Sequence, residues 1–304
     1  MFAREAIRML PSKRRFPAPS SVWTLRWHTN GPVAPDDTTN ASAEDTRVLK
    51  VDQTEGVLTL TLNRPKQRNA LNRSLLEALK AELEQASRVP HGIRAVVIQG
   101  EGNAAFSSGH DLKELISLDK EQQRDLFLLC SDVMQLLPNI PQPTIGAVEG
   151  LATAAGCQLA AACDLVVGNP MSGYATPGAT TIGLFCHTPA VPLVRSIGMK
   201  RAMDMLYTGR TITAPEALQY GLITHIAANP RREAAKLARH IALHSASALQ
   251  SGKRNLYKQA SADSLKAAYD IATPAMIKNL ETTDAKTGIA AFLQKKPTPE
   301  WKHE

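Results

Sequence analysis

The sequence lacks several features that would assign it to a familiar class of protein. No run of about 18 uninterrupted apolar residues occurs in the 304-residue chain, so the sequence predicts no membrane span. The four cysteines, at 130, 157, 163 and 186, form no C-x-x-C pair and no metal-ligand spacing. They predict no metal site, and reduced, partly buried thiols in a reducing compartment. The apolar fraction of 43% is nevertheless ordinary for a globular protein with a substantial core.

Acidic residues are scarce at the start of the chain. Residues 1–26 hold six basic side chains against one acid, Glu5, so most of the formal net charge of +7 belongs to this segment. The basic excess is therefore a terminal feature, and the sequence predicts no nucleic-acid-binding face. The stretch "MFAREAIRMLPSKRRF" is rich in arginine and spaces its apolar residues along one face of a helix, which is typical of a mitochondrial transit peptide. A disordered basic tail is the alternative.

The remainder divides into three parts by composition. Residues 28–46 are polar and turn-rich, which indicates a linker, and the fold is expected to begin near Arg47. We therefore expect a transit peptide and linker at 1–46, a core at 47–195 and a helical C-terminal region at 196–304.

From Val48 onward the apolar pattern predicts an α/β fold. "VLKVDQTEGVLTLTLN" predicts a hairpin turning at Glu55-Gly56, and "SLLEALKAELEQAS" predicts a helix capped by Asn72 or Ser74. The buried strands expected at "IRAVVIQG", "PQPTIGAVEG" and "DLVVGN" alternate with helices, as they do in α/β proteins. Beyond about Arg195 the chain is predicted to be helical.

Two loops have the composition of ligand-binding turns. "AAFSSGHDLKEL" and "GLATAAGCQL" each follow a predicted strand, contain glycine and small residues, and lead into a helix. In such loops the backbone can approach a ligand closely, and free N–H groups at the helix start can converge on a negative charge. For either loop alone, small residues that merely allow close packing are the favoured explanation.

Taken together, six ordered segments resemble the crotonase, or enoyl-CoA hydratase/isomerase, superfamily. They are "LNRPKQRNALN", "AFSSGHDLKEL", "GLATAAGCQLAAACDL", "ATPG", "MLYTGRTITAPEALQYGLI" and "AFLQKK". The resemblance implies a ClpP-like spiral of ββα units, a helical C-terminal trimerisation region, and a homotrimer or hexamer. It also implies an acyl-CoA thioester as ligand, with coenzyme A bound as part of that ligand and no separate cofactor.

The resemblance further implies roles for particular residues. The two backbone N–H groups that hold the thioester oxygen in an oxyanion hole fall on His110 and Ala155. The positions that contact coenzyme A fall on Lys66, Gln67, Arg68, Ser108, Asp111, Leu112, Lys113, Phe292 and Lys295. For each lysine, an ordinary solvated surface charge is the alternative.

The sequence departs from the family pattern at both acid/base positions. Family hydratases use two glutamates beside a water. The first position is Gln158 here, and the second is Gly178, or Ala179 in a shifted register. An amide cannot exchange a proton at neutral pH, so hydration by a glutamate pair is not expected.

Two histidines are candidate replacements for the missing bases. His187 falls where some isomerases of the family carry their carboxylate, and the side chain of His110 is expected to face the acyl chamber. A histidine beside a turn more often only hydrogen-bonds the backbone. Cys186 as a nucleophile is a weaker hypothesis, and Glu149 is expected outside the site.

Two functions of different classes remain open from the sequence. One is a mitochondrial matrix enzyme of fatty-acid metabolism that keeps its oxyanion hole and catalyses isomerisation or thioester cleavage. The other is a non-catalytic acyl-CoA-binding or regulatory protein. RNA binding has little support once the basic leader is set aside.

Overall fold

The computed structural model describes residues 47–89 and 92–303; the expected transit peptide and linker lie outside these ranges. The strands are β1 (Leu49–Thr54), β2 (Val57–Leu62), β3 (Ala95–Gly100), β4 (Ala105–Ser107), β5 (Thr144–Val148), β6 (Leu151–Thr153), β7 (Leu165–Gly168), β8 (Gly173–Ala175), β9 (Ile212–Thr213) and β10 (His225–Ile226). The helices of the first part are α1 (Arg73–Arg88), α2 (Leu112–Ser117), α3 (Lys120–Asn139), α4 (Ala155–Ala162), α5 (Gly178–Thr181) and α6 (His187–Ile197). Those that follow are α7 (Met199–Thr208), α8 (Ala214–Tyr220), α9 (Pro230–Ala242), α10 (Ala246–Ala260), α11 (Leu265–Leu280) and α12 (Thr283–Leu293).

The strands form two sheets. The larger sheet has the order β1-β2-β3-β5-β7-β10, with the β1–β2 hairpin antiparallel and each following pair parallel. The smaller sheet has the order β4-β6-β8-β9, in which β4, β6 and β8 run parallel. The predicted α/β class is confirmed.

The chain moves between the two sheets in a repeating pattern. β3, β5 and β7 each belong to the larger sheet, and each is followed by a short strand of the smaller sheet and then by a helix. This ββα repeat produces the spiral. The sequence pattern missed β4, β6 and β8 and assigned the β4 segment to a loop, because three residues are too few to show an alternation of apolar and polar side chains.

Helix α1 shows how the sequence directs packing in the core. Its leucines at 75, 79 and 83 recur at helical spacing and are fully buried. Of the two expected caps, Asn72 closes the helix, because its side chain accepts a hydrogen bond from the N–H of Leu75. All four cysteines are free and buried, as predicted.

A buried ion pair ties α10 to the larger sheet. Lys253 donates to Asp164 at 2.7 Å, and the same carboxylate accepts from the Tyr257 hydroxyl at 2.7 Å and from the N–H of Thr144 at 2.7 Å. Lys253 also donates to the carbonyl of Gln142 at 2.8 Å. Burial lowers the pKa of Lys253, and the charge of Asp164 opposes that shift. Asp164 therefore connects elements at the start of β5 and β7 rather than serving as a cavity residue.

The C-terminal part is helical, as the sequence predicts, apart from the two-residue strands β9 and β10. Helix α6 runs across the boundary expected at residue 195, so the division into 47–195 and 196–304 stays a prediction. Helix α11 has no buried residue in this chain, and α12 has only Asp284. Within the part of the chain that the structure describes, no helix combines the length and apolarity needed to cross a membrane.

Candidate active site

A cavity of about 690 Å³ opens beside the smaller sheet and has two chemically different walls. The loop wall consists of residues 108–111, which follow β4, and 153–155, which follow β6. The helix wall consists of residues from the segment 177–189, which includes α5 and the start of α6. Because β4 and β6 are parallel neighbours, their carboxyl ends, and hence the two loops, meet at one edge of the sheet.

The first loop holds the N–H of His110 without a partner. Gly109 on one side donates to the Ser107 hydroxyl, and its carbonyl accepts from the N–H of Leu71 at 2.8 Å. Asp111 on the other side donates to the carbonyl of Leu71 at 3.1 Å. The backbone is thus fixed on both sides of His110, whose own N–H has no hydrogen bond to any residue that the structure describes.

The second loop repeats this arrangement at Ala155. The N–H of Ala154 donates to the carbonyl of Ala175 at 2.9 Å, and the carbonyl of Ala154 accepts from the N–H of Gln158. Ala154 has a φ of 50°, so the chain turns sharply into α4. The N–H of Ala155 lies in the first turn of α4, where no intrahelical acceptor is available, and it has no hydrogen bond elsewhere in the described chain.

The two loops touch at Gly109. A Cβ on Gly109 would lie 3.0 Å from the nitrogen of Ala155 and 2.9 Å from the Cβ of Ala154, and its φ of +88° also favours glycine. The contact at Gly109 places the loop that carries the His110 N–H against the loop that carries the Ala155 N–H. Preorganised backbone donors contribute about 3–4 kcal/mol each when charge develops on an oxygen that they bind.

The side chain of His110 is enclosed in the loop wall. Its ring packs edge-on against Phe127 with the centroids 5.0 Å apart, and both ring nitrogens are buried. Burial lowers the pKa of His110 from 6.5 to about 4, a shift that the backbone of Leu71 partly opposes. The ring is neutral at physiological pH and is therefore a weak base.

The helix wall presents His187 and Cys186. His187 is exposed, begins α6, and packs against Phe185 with the ring centroids 4.9 Å apart. Burial raises the pKa of the Cys186 thiol, which disfavours the thiolate that a nucleophilic cysteine needs. Of the two residues, His187 is better placed to exchange a proton.

The two positions that lack glutamate differ in structure. Gln158 is buried on α4 outside the cavity lining, and its side-chain oxygen has no hydrogen-bond partner in the described residues. Gly178 lines the cavity, but a Cβ there would lie 2.2 Å from the carbonyl oxygen of Leu184 and 2.9 Å from the sulfur of Cys186. The backbone around Gly178 therefore has no room for a glutamate without rearrangement. Glu149 lies outside the cavity, as expected, and pairs with Arg231 at 3.4 Å.

Asp111 is the one carboxylate among the described residues that line the cavity, and it is already engaged. Its hydrogen bond with Arg64, at 2.9 Å, lowers the pKa of Asp111, and its other oxygen caps α2 by accepting from the N–H of Lys113 and of Glu114. It is thus held ionised, which does not suit a general acid. No cluster of metal-ligating side chains occurs in the described part of the chain.

The residues expected to contact coenzyme A separate into two groups. Lining the cavity are Lys66, Gln67, Ser108, Asp111, Leu112 and Lys113. Arg68, Phe292 and Lys295 do not line it, and Phe292 on α12 is 81% exposed. The apolar residues that the sequence did not assign to the site include Phe127, Ile182, Leu184 and Phe185. Their helical or loop pattern is the same as that of ordinary core or surface residues, so no local signal distinguishes them.

Comparisons with known proteins assign the chain to a family. The profile of the enoyl-CoA hydratase/isomerase family matches residues 52–304, and the chain belongs to that family. The family and the crotonase fold predicted from the sequence are confirmed.

Among individual relatives, the chain is similar to enoyl-CoA hydratase domain-containing protein 3, mitochondrial. It is 42% identical to the human protein over 264 residues, which cover 85% of this chain and 84% of that protein. The rat protein is 42% identical over 260 residues, or 84% of this chain and 85% of the relative.

Solved structures give the same assignment. The crystal structure of the human protein superposes with a TM-score of 0.78 at 41% identity, covering 83% of this chain and 100% of that one. The crystal structure of an enoyl-CoA hydratase from Mycobacterium smegmatis gives a TM-score of 0.79 at 38% identity, covering 83% and 98%.

Proposed function

We propose that this chain binds a fatty acyl-CoA thioester in mitochondrial fatty-acid metabolism without catalysing ordinary enoyl-CoA hydration. The observation that carries the proposal is the pair of unpaired N–H groups at His110 and Ala155 on two touching loops. A thioester carbonyl placed between them would be polarised, and its enolate would be stabilised. No resident cofactor is required for this chemistry.

The remaining cavity residues suit an acyl-CoA in charge and polarity. Lys66 and Lys113 are exposed at the cavity, where cations can face the phosphates of coenzyme A. The interior is lined mainly by apolar side chains such as Leu115 and Phe127, which suit a hydrocarbon chain.

The absence of hydratase activity follows from the acid/base positions. Gln158 cannot exchange a proton, and Gly178 contributes no side chain. Asp111 is held ionised by Arg64. Chemistry is then limited to what enolate stabilisation and His187 permit, namely isomerisation or thioester cleavage.

A non-catalytic acyl-CoA-binding or regulatory role is the second candidate, and the buried state of His110 favours it. With a pKa of about 4, His110 is a weak base, which leaves His187 as the other histidine that lines the cavity. If His187 does not exchange protons with the ligand, the same cavity binds without turnover.

Location and assembly are proposed on separate grounds. The mitochondrial relatives and the transit-peptide composition of residues 1–16 support import into the matrix. A homotrimer or hexamer is supported by exposed apolar side chains on α11 and α12. These include Leu265, Tyr269, Met276, Ile277, Phe292 and Leu293. In such an assembly, Phe292 and Lys295 would approach coenzyme A on a neighbouring copy.

The first test is proton exchange at the α-carbon of the ligand. The full chain is incubated in D2O with acyl- and enoyl-CoAs of varied length, and mass spectrometry follows deuterium incorporation together with any new product. Incorporation that is lost in His187→Ala but kept in His225→Ala, a change outside the cavity, identifies the base. Binding of the thioesters without deuterium exchange would contradict the enzymatic function and support the non-catalytic binding function. No binding would contradict both.

A further inference from the structure

The end of helix α9 carries two histidines that are one helical turn apart. His240 lies in the last turn of α9, and His244 follows it by four residues. The turn continues through His244, because Leu243 keeps helical backbone angles and the N–H of His244 donates to the carbonyl of Ile241 at 3.0 Å. Residues at this spacing share one face of a helix. The two imidazole rings are indeed neighbours, with centroids 4.9 Å apart and planes inclined at 85°.

The separation of the two rings is the one that a shared metal ion requires. An imidazole nitrogen binds zinc at about 2.0–2.1 Å, and the ring centre lies about 1.1 Å behind that nitrogen. Two imidazoles on one ion therefore have centroids about 4.5 Å apart when their bonds to the metal enclose a right angle, and about 5.2 Å apart when the angle is tetrahedral. The observed 4.9 Å lies between these two values. Little movement of either side chain is needed to bring both rings onto one ion.

The surroundings of the pair admit a cation. Both histidines are exposed, so an ion reaches them from solvent. They lie at the C-terminal end of α9, where the helix dipole favours positive charge. The basic residues that precede His240 on the helix are paired with acids, Lys236 with Glu233 at 3.6 Å and Arg239 with Glu55 at 3.8 Å. Their charges are thus partly neutralised beside the pair.

We propose that His240 and His244 form a binding site for a divalent transition-metal ion. Imidazole nitrogens suit zinc, copper and nickel, whereas calcium and magnesium prefer oxygen ligands. No group of three or more metal-ligating side chains occurs among the described residues, so these two rings are the protein ligands and the other coordination positions are open to water. Copper binds more tightly than zinc at such a site. Neither histidine lines the cavity, so the proposal is independent of acyl-CoA binding.

An ion at this position stabilises the helix that covers the larger sheet. Ala234, Ala238 and Ala242 of α9 are buried in a cluster with residues of that sheet, among them Val97 and Ile145. The chelated ion joins the last turn of α9 to the residues that follow it and so opposes fraying of the helix end. Because the paired geometry belongs to the folded chain, the ion stabilises the fold by mass action.

The test is calorimetric titration of the full chain, prepared without an affinity tag, with Zn2+ and separately with Cu2+. Loss of a group that merely supports a metal ligand costs about 10–100-fold in affinity, so His240→Ala and His244→Ala should each weaken binding at least about tenfold. The double variant should bind no more weakly than either single variant, since one remaining ring cannot chelate. His244→Cys, which keeps a ligand atom, should retain part of the affinity. His225→Ala, which removes an exposed histidine on β10, is the matched control and should bind like the wild-type protein.

Two results would overturn the site. One is the absence of Zn2+ and Cu2+ binding by the wild-type protein. The other is unchanged affinity in His240→Ala or His244→Ala, which would make the ring contact aromatic packing alone.

Thermal unfolding tests the stabilising role of the ion separately. Saturating Zn2+ should raise the Tm of the wild-type protein by a few degrees and leave that of His240→Ala nearly unchanged. Equal shifts in the two proteins would overturn the role assigned to the ion at the end of α9.

Discussion

The loop wall and the helix wall of the cavity retain different parts of the family pattern. In the loop wall the proposed chemistry belongs to backbone N–H groups, and glycine and alanine positions that shape the backbone are sufficient to keep it. In the helix wall and on α4 the resemblance places the two acid/base positions at Gly178 and Gln158, and neither residue is acidic. Backbone function survives changes of side chain, whereas acid/base function depends on the identity of single residues.

The largest expected effect is a pH-dependent loss of stability caused by His110 in the loop wall. The pKa of His110 is 6.5 in an unfolded chain and about 4 in the fold. Between these values the unfolded chain binds more protons than the folded chain does. The contribution of His110 to the free energy of unfolding is therefore fully present above pH 6.5 and is lost as pH falls toward 4. From neutral pH to about pH 4.5 this loss amounts to about 2–3 kcal/mol.

Denaturant unfolding across that range should show the loss in the wild-type protein and not in His110→Phe. His187→Phe is the matched control for removing an imidazole from the exposed wall. Equal pH dependence in the wild-type protein and His110→Phe would contradict a desolvated ring.

Restoring one carboxylate should not restore hydration. Gln158→Glu places an acid at a buried position, and we expect a loss of about 2 kcal/mol in unfolding free energy at neutral pH. Hydration of crotonyl-CoA, followed by the loss of enoyl absorbance, should stay at the uncatalysed rate because Gly178 supplies no second carboxylate. Catalysed hydration by this variant would show that the two-carboxylate requirement does not hold here.

Two glycines with positive φ allow the walls to be compared directly. Gly109→Ala brings a methyl group against Ala154 and Ala155, whereas Gly183→Ala in the helix-wall segment meets no atom within 4 Å. Both substitutions strain the backbone, but only the first displaces the N–H donors. We expect acyl-CoA affinity to fall about tenfold in Gly109→Ala, as measured by calorimetry, and to change less in Gly183→Ala. The same loss in both variants would assign the effect to strain alone.

The smallest expected effect concerns the anchoring of the loop wall. Asp111→Asn keeps an oxygen that can cap α2 but removes the charge that pairs with Arg64. We expect the free energy of unfolding to fall by about 1 kcal/mol in thermal or denaturant unfolding. A loss of unfolding free energy as large as that for breaking a fully buried ion pair would show that Asp111 stabilises the loop more than its contacts indicate.

The sequence predicts the fold better than the cavity. The β1–β2 hairpin, α1 and the buried strands β3, β5 and β7 follow from apolar periodicity over six or more residues or from continuous apolar runs. The smaller sheet was missed because its strands are three residues or shorter and are stabilised by neighbouring strands rather than by their own pattern.

For the site, the resemblance located both glycine-containing loops, and they do line one cavity. Sequence could not show that Gln158 is buried away from the cavity lining, that the Leu184 carbonyl blocks Gly178, or that the ring of His110 has lost its solvent. These properties arise from contacts between distant segments, which a single sequence does not display.

The tie between Asp164 and α10 has a consequence for how the protein is made. Tyr257 and Asp164 are 93 residues apart, and Lys253 reaches back 111 residues to the carbonyl of Gln142. During synthesis, which proceeds from the N-terminus, the strands that Asp164 connects emerge well before the cation that neutralises it. A nascent or truncated chain ending before residue 253 retains this carboxylate without either of its α10 donors. Asp164 therefore gains its cationic partner only when most of the chain has been synthesised. A chain released earlier keeps the Asp164 carboxylate without that partner.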